Sequence, residues 1–423
     1  MIILIFIILL FVGIPLVFVL GLTGMIYIII QDNSLLLVPQ RMFVQIDSFV
    51  LMAVPLFLLA GNILSEGGFT LRILRFCKSF IGHVRGGLGY VNVLASMLFA
   101  GISGSALADV FGLGSIEIPM MVKDGYDKDF SAAVTASSSI IGPIIPPSIA
   151  FVIFGAIANV SIAALLLGGI LPGILLGIAM MAIVGWISKK RNYPKSETRA
   201  TLKEIIYATK DSILAIIAPI IIIGGILSGI FTPTEAAVIA DIYALIIALL
   251  IYKEIKLSDL PRIFLKSAIG TAACFLIIST AGIFGWMLAA EEIPLKVLHL
   301  IQSISDNPII LLILINVLLL FIGTWMDLTA TLIVLTPVLL PVAIAIGMNP
   351  IHFGVMMVLN LEIGHITPPL GLCLFGAATV SKLPVEKVIK ALVPFIIACI
   401  FVLFLVAYIP NLVLLIPDFF LNK

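Results

Sequence analysis

The chain is short of charge. Lys, Arg, Asp and Glu together make up 11% of its 423 residues, against about a quarter in a water-soluble domain. With 62% of residues hydrophobic, a soluble fold could not hide the apolar surface. Net charge is also nearly absent: 23 basic against 22 acidic residues leave +1, no electrostatic footprint for nucleic acid. Cysteine is scarce. Cys77, Cys274, Cys373 and Cys399 lie far apart, with no CxxC or Cys/His cluster, which excludes a zinc site or a disulfide framework and leaves four small buried hydrophobes. The first 30 residues lack the basic n-region and the cleavage site of a removable signal peptide, so they read as a first helix that stays.

What the chain has in abundance is apolar length. At least eight stretches reach the roughly 17 to 25 residues needed to cross a bilayer, so the lipid bilayer is its solvent and the fold class is an all-α polytopic membrane protein. Eighteen of the 23 basic residues fall in four loops: Arg72 to Arg85, Lys189 to Lys210, Lys253 to Lys266, and Lys382 to Lys390. The positive-inside rule puts these in the cytoplasm. The loops at 32–48, 156–162 and 291–306 hold only Arg41 and Lys296 and face outward. Spans at 2–31, 49–66, 163–188, 211–231, 233–252, 267–290 and 391–416 then alternate consistently. The stretches 88–122 and 308–343 are too long for one crossing, and parity requires each to return to the side it entered. Both are expected to be re-entrant helical hairpins, with residues 131–155 and 353–376 each crossing once, the N-terminus cytoplasmic and the C-terminus outside.

A shift of 222 residues aligns Gly101 with Gly323, Pro119 with Pro341, Gly125 with Gly347, Gly142 with Gly364, and Pro146-Pro147 with Pro368-Pro369. These residue types mark backbone geometry, so the two halves share a backbone. In the topology above they point opposite ways, and inverted-topology repeats are a transporter's signature. The expected organisation is a first repeat over 1–188 (hairpin 88–122, broken helix 131–155), a basic cytoplasmic connector over 189–210, and a second repeat over 211–417 (hairpin 308–343, broken helix 353–376).

The hairpin tips, GISGSALAD at 101–109 and GTWMDLTAT at 323–331, mix Gly with hydroxyls and carboxylates. Irregular backbone at membrane depth is tolerable where it lines a cavity. A hard cation such as sodium takes oxygen ligands, which Ser103, Ser105 and Asp109 in one tip and Thr324, Asp327 and Thr329 in the other supply. Asp109 and Asp327 are the stronger candidates, because a buried charge without purpose is costly. The segments SSSIIGPIIPPSIAF at 137–151 and NLEIGHITPPLGLCLF at 360–375 place Gly and a Pro pair in mid-span, where the helix should break. Proline in the first turn of each restarted half would aim its amides at the midplane, a seat for a carboxylate. Glu362 and His365 flank the second break without counterparts in the first, as a proton relay or as a mutual pair. Ser148, Thr329, Glu362 and His365 are candidate substrate contacts. Thr232-Pro233-Thr234-Glu235 has capping-box spacing and reads as structural.

With GISGSALAD, IGPIIPPS, FTPTEAA, GTWMD, ITPPLG and RMFVQIDSFVLMAVPLFLLAGNIL (41–64) in hand, the chain resembles, over essentially its whole length, the large membrane subunit of the tripartite ATP-independent periplasmic (TRAP) transporters. That resemblance implies a secondary transporter of the bacterial inner membrane, taking up an organic acid on the sodium gradient. Its implied partners are a small four-helix membrane subunit, as a separate chain since nothing precedes residue 1, and a periplasmic substrate-binding protein. In the wider superfamily the hairpins and broken helices move as an elevator. Carried over, one sodium would sit between Ser103, Ser105, Gly142 and Pro143, another between Gly323, Thr324, Thr367 and Pro368, with the substrate between them. No Walker A motif is present and no organic cofactor is implied, so energy must come from an ion gradient. Competing readings are a stand-alone sodium or proton symporter for anions, an intramembrane enzyme built on Asp109 and Asp327, and a passive channel. The enzyme reading suffers because Asp327 aligns with Ser105 and Asp109 with Thr331, different symmetry positions, and a channel needs no pair of broken helices closed around a midplane site.

Overall fold

In a computed structural model, residues 2–195, 199–305 and 307–421 are described, apart from the side chains of Ile3, Ile102, Ser103 and Ile301. Among the described residues every regular element is a helix. Among the described residues seven helices are long and apolar enough to cross a bilayer, fewer than the eight apolar stretches of the sequence because Gly and Pro cut several of them. The expected first span is two helices, Ile2–Phe11 and Leu16–Ile30, parted by Gly13 at φ +84° and by Pro15. The last ends at Tyr408 in Val385–Tyr408. Pro410 follows, and Asn411–Leu421 folds back so that Val413 meets Gly168. Three expected loops carry helices, Leu37–Ile46, Phe69–Ile81 and Ile293–Gln302, whose apolar residues recur at helical rather than strand spacing.

The first hairpin runs up Gly87–Ser103, turns at Gly104 (φ +59°), and returns through Ala106–Gly112 and Gly114–Lys123. Its two ends meet. The Tyr126 hydroxyl accepts from the Leu88 amide at 3.2 Å, and both ends adjoin 191–194, where Arg191 binds Asp127 and Asp129 at 2.9 and 3.0 Å and the Gly86 amide donates to Pro194 O. Loop burial pushes the Asp127 carboxyl up, but hydrogen bonds from Tyr193 and Arg191 outweigh it and hold the group below its usual range. The second hairpin, Pro308–Gly323 and Leu328–Ala345, closes its open end beside the far end of Val385–Tyr408, where Tyr408 donates to Ile309 O.

The two open ends lie at opposite ends of the molecule. Lys128–Ser139 starts at the first open end, and its continuation Ile149–Ala158 brings Phe154 against Phe353, ring centroids 6.3 Å apart, at the start of Pro350–Ile366. That helix starts at the second open end. Its own continuation, Leu372–Ser381, runs back along Lys128–Ser139. Each restarted half thus packs in the opposite sense to the other, burying Phe130, Phe154, Phe353 and Phe395 completely. Polar side chains join each hairpin to its broken helix: Asn92 donates to Thr135 (2.7 Å) and accepts from Ser138 (2.7 Å), and Asn360 donates to Asn316 (2.7 Å). In lipid such bonds are worth about 0.6–2 kcal/mol each.

On the face of the first open end, Arg72 bonds Asp211 and Glu254, each at 3.3 Å, and stacks 3.7 Å from the Tyr252 ring, while Arg262 and Lys266 pair with Glu66. Asp211 and the basic segments 66–85 and 253–266 are thereby tied to one another, and the Gly86–Pro194 and Arg85–Asn192 hydrogen bonds join 189–195 to them. The Thr232–Glu235 capping box is formed, with both reciprocal bonds in place.

Candidate functional site

Both helices interrupted by proline pairs do break. The first is non-helical over 140–148 and the second over 367–371, and both proline pairs carry cis peptide bonds. The prolines are not in the first turn of the restarted halves, as the sequence suggested. Ser148 and Gly371 occupy the N-cap positions instead. Serine can satisfy an orphan amide with its side chain, which a proline pair cannot. The Ser148 hydroxyl accepts from Phe151 N and donates to Pro143 O, so it staples the break shut.

The tips obey the same internal symmetry. Ser105 caps Ala106–Gly112 by accepting from Ala108 N at 3.4 Å, and Asp327 caps Leu328–Ala345 by accepting from Thr329 N at 2.9 Å and Ala330 N at 3.3 Å. These two residues are 222 positions apart. A carboxylate at a helix N-terminus is favoured by the dipole as well as by the amides. Thr331, aligned with Asp109, turns its hydroxyl back to Asp327 O.

Each tip touches its own break. A Cβ on Gly142 would stand 2.8 Å from Asp109 Oδ2 and one on Gly104 3.1 Å from Pro147 O. Only glycine lets the carboxylate and the carbonyl come so near. In the second repeat Gly323 and Gly364 lie backbone to backbone: a Cβ on Gly364 would meet the Gly323 carbonyl carbon at 2.6 Å. The Gly371 amide donates to Thr324 O at 3.0 Å, and the His365 ring approaches Met326 O at 3.3 Å. Thr324 and Thr367 hydroxyls donate within their own helix turns, to Phe321 O and Ile363 O. The side chain of Ser103 lies outside the described residues.

Both tips and the first break open onto one cavity of about 270 Å³. Ser105, Pro143, Asp327, Thr329, Glu362 and His365 line it. Its far wall is Leu58 together with Gly270, Ala273, Cys274 and Ile277 of the long helix Leu260–Ala290. Asp327 is exposed to this space, whereas Asp109 and Glu362 are buried. Glu362 and His365 face each other at 3.5 Å, ion-pair distance without hydrogen-bond geometry, so the mutual pair is formed. Gly142, Gly323, Thr324, Thr367, Pro368 and Asp109 do not line the cavity, and Ser148 is fully buried in the first break.

Sequence reasoning missed three things. The long helix contributes a wall of small residues, and Cys274 is on that wall rather than fully buried; spacing of three and four residues between small side chains was the available signal. Glu117, in the returning arm of the first hairpin, is completely buried, with no hydrogen-bond partner for either oxygen. Asp241 is buried likewise in Pro233–Ile246. Both are carboxylates in apolar sequence, which alone marks them out.

Two re-entrant tips and two interrupted helices of opposite sense, closed around one cavity, define a membrane transporter with inverted repeats. The chain is multi-pass and works as a transporter subunit rather than as an enzyme. It belongs to the family described as the tripartite ATP-independent periplasmic transporter, DctM component, which residues 3–412 match. It is 43% identical to the sialic acid TRAP transporter large permease protein SiaM of Vibrio cholerae, over 98% of this chain and 97% of the relative. Identity is 41% to the sialic acid TRAP transporter permease protein SiaT of Haemophilus influenzae, over 98% of this chain but 67% of that protein. It is 36% to the C4-dicarboxylate TRAP transporter large permease protein DctM of Pseudomonas aeruginosa, over 94% and 93%. Among solved structures, the YdaH transporter of Alcanivorax borkumensis superposes with a TM-score of 0.65, covering 86% of each chain. At 14% identity that likeness is one of fold.

Proposed function

We propose that this chain is the sodium-coupled, moving permease of an organic-acid uptake system in a bacterial inner membrane. The observation that carries the reading is the shared cavity, where Ser105, Asp327, Thr329 and Pro143 converge from two oppositely oriented repeats. The donors around it are oxygens, suited to a hard monovalent cation. One sodium ion is assigned to Ser103, Ser105, Asp109, Gly142 and Pro143, and a second to Gly323, Thr324, Asp327, Thr367 and Pro368. The substrate carboxylate would lie between them, within reach of Thr329, Glu362 and His365, with Ser148 holding the break in shape. The amide ends of Ile149–Ala158 and Leu372–Ser381 start at the breaks and favour an anion there.

The repeats are taken as 1–188 and 211–417, joined by a cytoplasmic connector at 189–210, with the N-terminus cytoplasmic. The ion-paired basic segments all fall on one face, as the positive-inside rule requires. The hairpins and broken helices would slide as an elevator along Leu260–Ala290, whose small side chains offer a smooth track. A small four-helix membrane subunit and a periplasmic binding protein complete the system; SiaT, of which about a third is unmatched by this chain, leaves room for such a subunit in one polypeptide. Sialic acid is the first substrate to try, given the 43% identity to the Vibrio cholerae permease.

The test is uptake of radiolabelled sialic acid, and of succinate, into proteoliposomes holding this chain with its membrane partner and a loaded binding protein. An inward sodium gradient should drive uptake in the wild type, and Asp109→Asn and Asp327→Asn should abolish it. Equal uptake in potassium, or full activity in both variants, would overturn the assignment.

A further inference from the structure

Arg41 is one of only two basic residues in the loops 32–48, 156–162 and 291–306 assigned to the outer face, and the other, Lys296, is paired with Glu291 at 3.7 Å. Arg41 has no such partner: no carboxylate lies within ion-pair distance among the described residues, and its buried Nε has no acceptor. Its guanidinium sits 5.7 Å from the centroid of the Trp286 ring, a cation–π distance. Both residues line a second cavity of about 330 Å³. On one side of it are Leu37–Ile46 and Leu260–Ala290; on the other are Ile157, Ile333 and Pro337, which belong to the first broken helix and the second hairpin.

The two cavities follow the same three helices, Leu260–Ala290, Leu328–Ala345 and Ile149–Ala158. Along Leu260–Ala290 the lining passes from Gly270, Cys274 and Ile277 in the tip cavity to Ala281, Gly285 and Ala289 in the outer one, with Trp286 beside Gly285. These are steps of three or four residues on a single helix face. On the second hairpin, Thr329 leads to Ile333 and then Pro337 at intervals of four. Eight residues of helix make this a rise of about 12 Å. A guanidinium with unused donors, stacked on an aromatic ring and facing a cavity lined by the same helices as the tip cavity, is built to take a planar anion in fork geometry.

We propose that Arg41 is a carboxylate-capture site at the outer mouth of the translocation path, holding the organic anion before it reaches the tip cavity. This rests on the organic-acid reading above. The experiment compares wild type, Arg41→Gln and Arg41→Lys in the reconstituted three-component system, with sialic acid and succinate as probes. Arg41→Gln should raise KM for the loaded binding protein about tenfold or more, the scale of one charge-assisted contact, and leave Vmax within about twofold. Arg41→Lys should recover part of the loss, since the charge survives without the fork. Affinity of the binding protein for the membrane complex, measured by surface plasmon resonance, should not change. Wild-type kinetics in Arg41→Gln would overturn the Arg41 assignment alone. So would a docking loss as large as the KM change, which would make Arg41 a protein-contact residue. A wild type that takes up neither acid on a sodium gradient would overturn the organic-acid reading, and this proposal with it.

Discussion

Gly364→Ala puts a methyl group where the second tip meets its helix. The new Cβ would stand 2.6 Å from the Gly323 carbonyl carbon, 2.7 Å from its Cα and 2.9 Å from its oxygen. Ordinary contact starts at 3.4 Å, so the backbones must separate by at least 0.8 Å. No flexible side chain is available to yield, because all three atoms are main chain. Overpacking of this kind costs about 1–3 kcal/mol. The displaced elements are those that hold the second tip, through Gly371 N to Thr324 O and His365 to Met326 O. If sodium binds across this contact, the cost appears in its affinity, roughly 5- to 150-fold in half-saturating concentration. The assay is uptake against sodium concentration, with thermal unfolding of the purified protein as the structural readout. Gly224→Ala is the control: nothing lies within 4 Å of its added Cβ, and a helical Gly→Ala change stabilises by up to about 1 kcal/mol. Unchanged sodium dependence and unchanged melting in Gly364→Ala would mean that the Gly323–Gly364 contact holds neither the tip nor the ion.

Asp327→Asn separates cap from charge: Asn caps as well as Asp, so melting should hold while sodium-driven uptake is lost, whereas Asp327→Ala should lower both, by about 1 kcal/mol in stability. Thr232→Ala removes one half of a capping box remote from the cavity and should cost about 1 kcal/mol with uptake per folded molecule unchanged. Arg72→Ala strips Asp211 and Glu254 of a common partner and uncovers Tyr252; a loss of about 2 kcal/mol is expected in thermal melts, less at high salt. The Asp127 carboxyl is held below its usual range by Tyr193 and Arg191, so its contribution is complete above the unfolded carboxylate value of about 4 and fades as pH falls further. Asp127→Asn should therefore flatten the acid limb of the melting profile, and an identical limb would count against the knot.

The architecture was legible because Gly and Pro recur with a fixed shift. Hairpin limits of 88–122 and 308–343 compare with helices spanning 87–123 and 308–345, since parity and span length constrain them jointly. The breaks were placed by Pro146-Pro147 and Pro368-Pro369, but the caps were misassigned: capping depends on which side chain faces the orphan amides, and Ser148 and Gly371 decide that only once the chain has turned. Interfacial helices such as Phe69–Ile81 were read as loops because their charges were used to locate the membrane surface, while the helical period is carried by the apolar residues Phe69, Ile73 and Cys77. The tips' own residues were visible as polar groups in apolar sequence. The wall formed by Gly270, Ala273 and Cys274 was missed, since its one signal is the spacing of small side chains within a 31-residue helix, and they carry no chemistry of their own.

In this fold two copies of one scaffold enter the membrane from opposite faces, and labelling from each side tests it directly. In a cysteine-less background, Asp124→Cys and Asn349→Cys stand at the exposed open ends of the first and second hairpins. A membrane-impermeant maleimide applied to intact cells should label the 349 position and spare 124, with the pattern reversed in inside-out vesicles. Labelling of both from the same side would contradict the account.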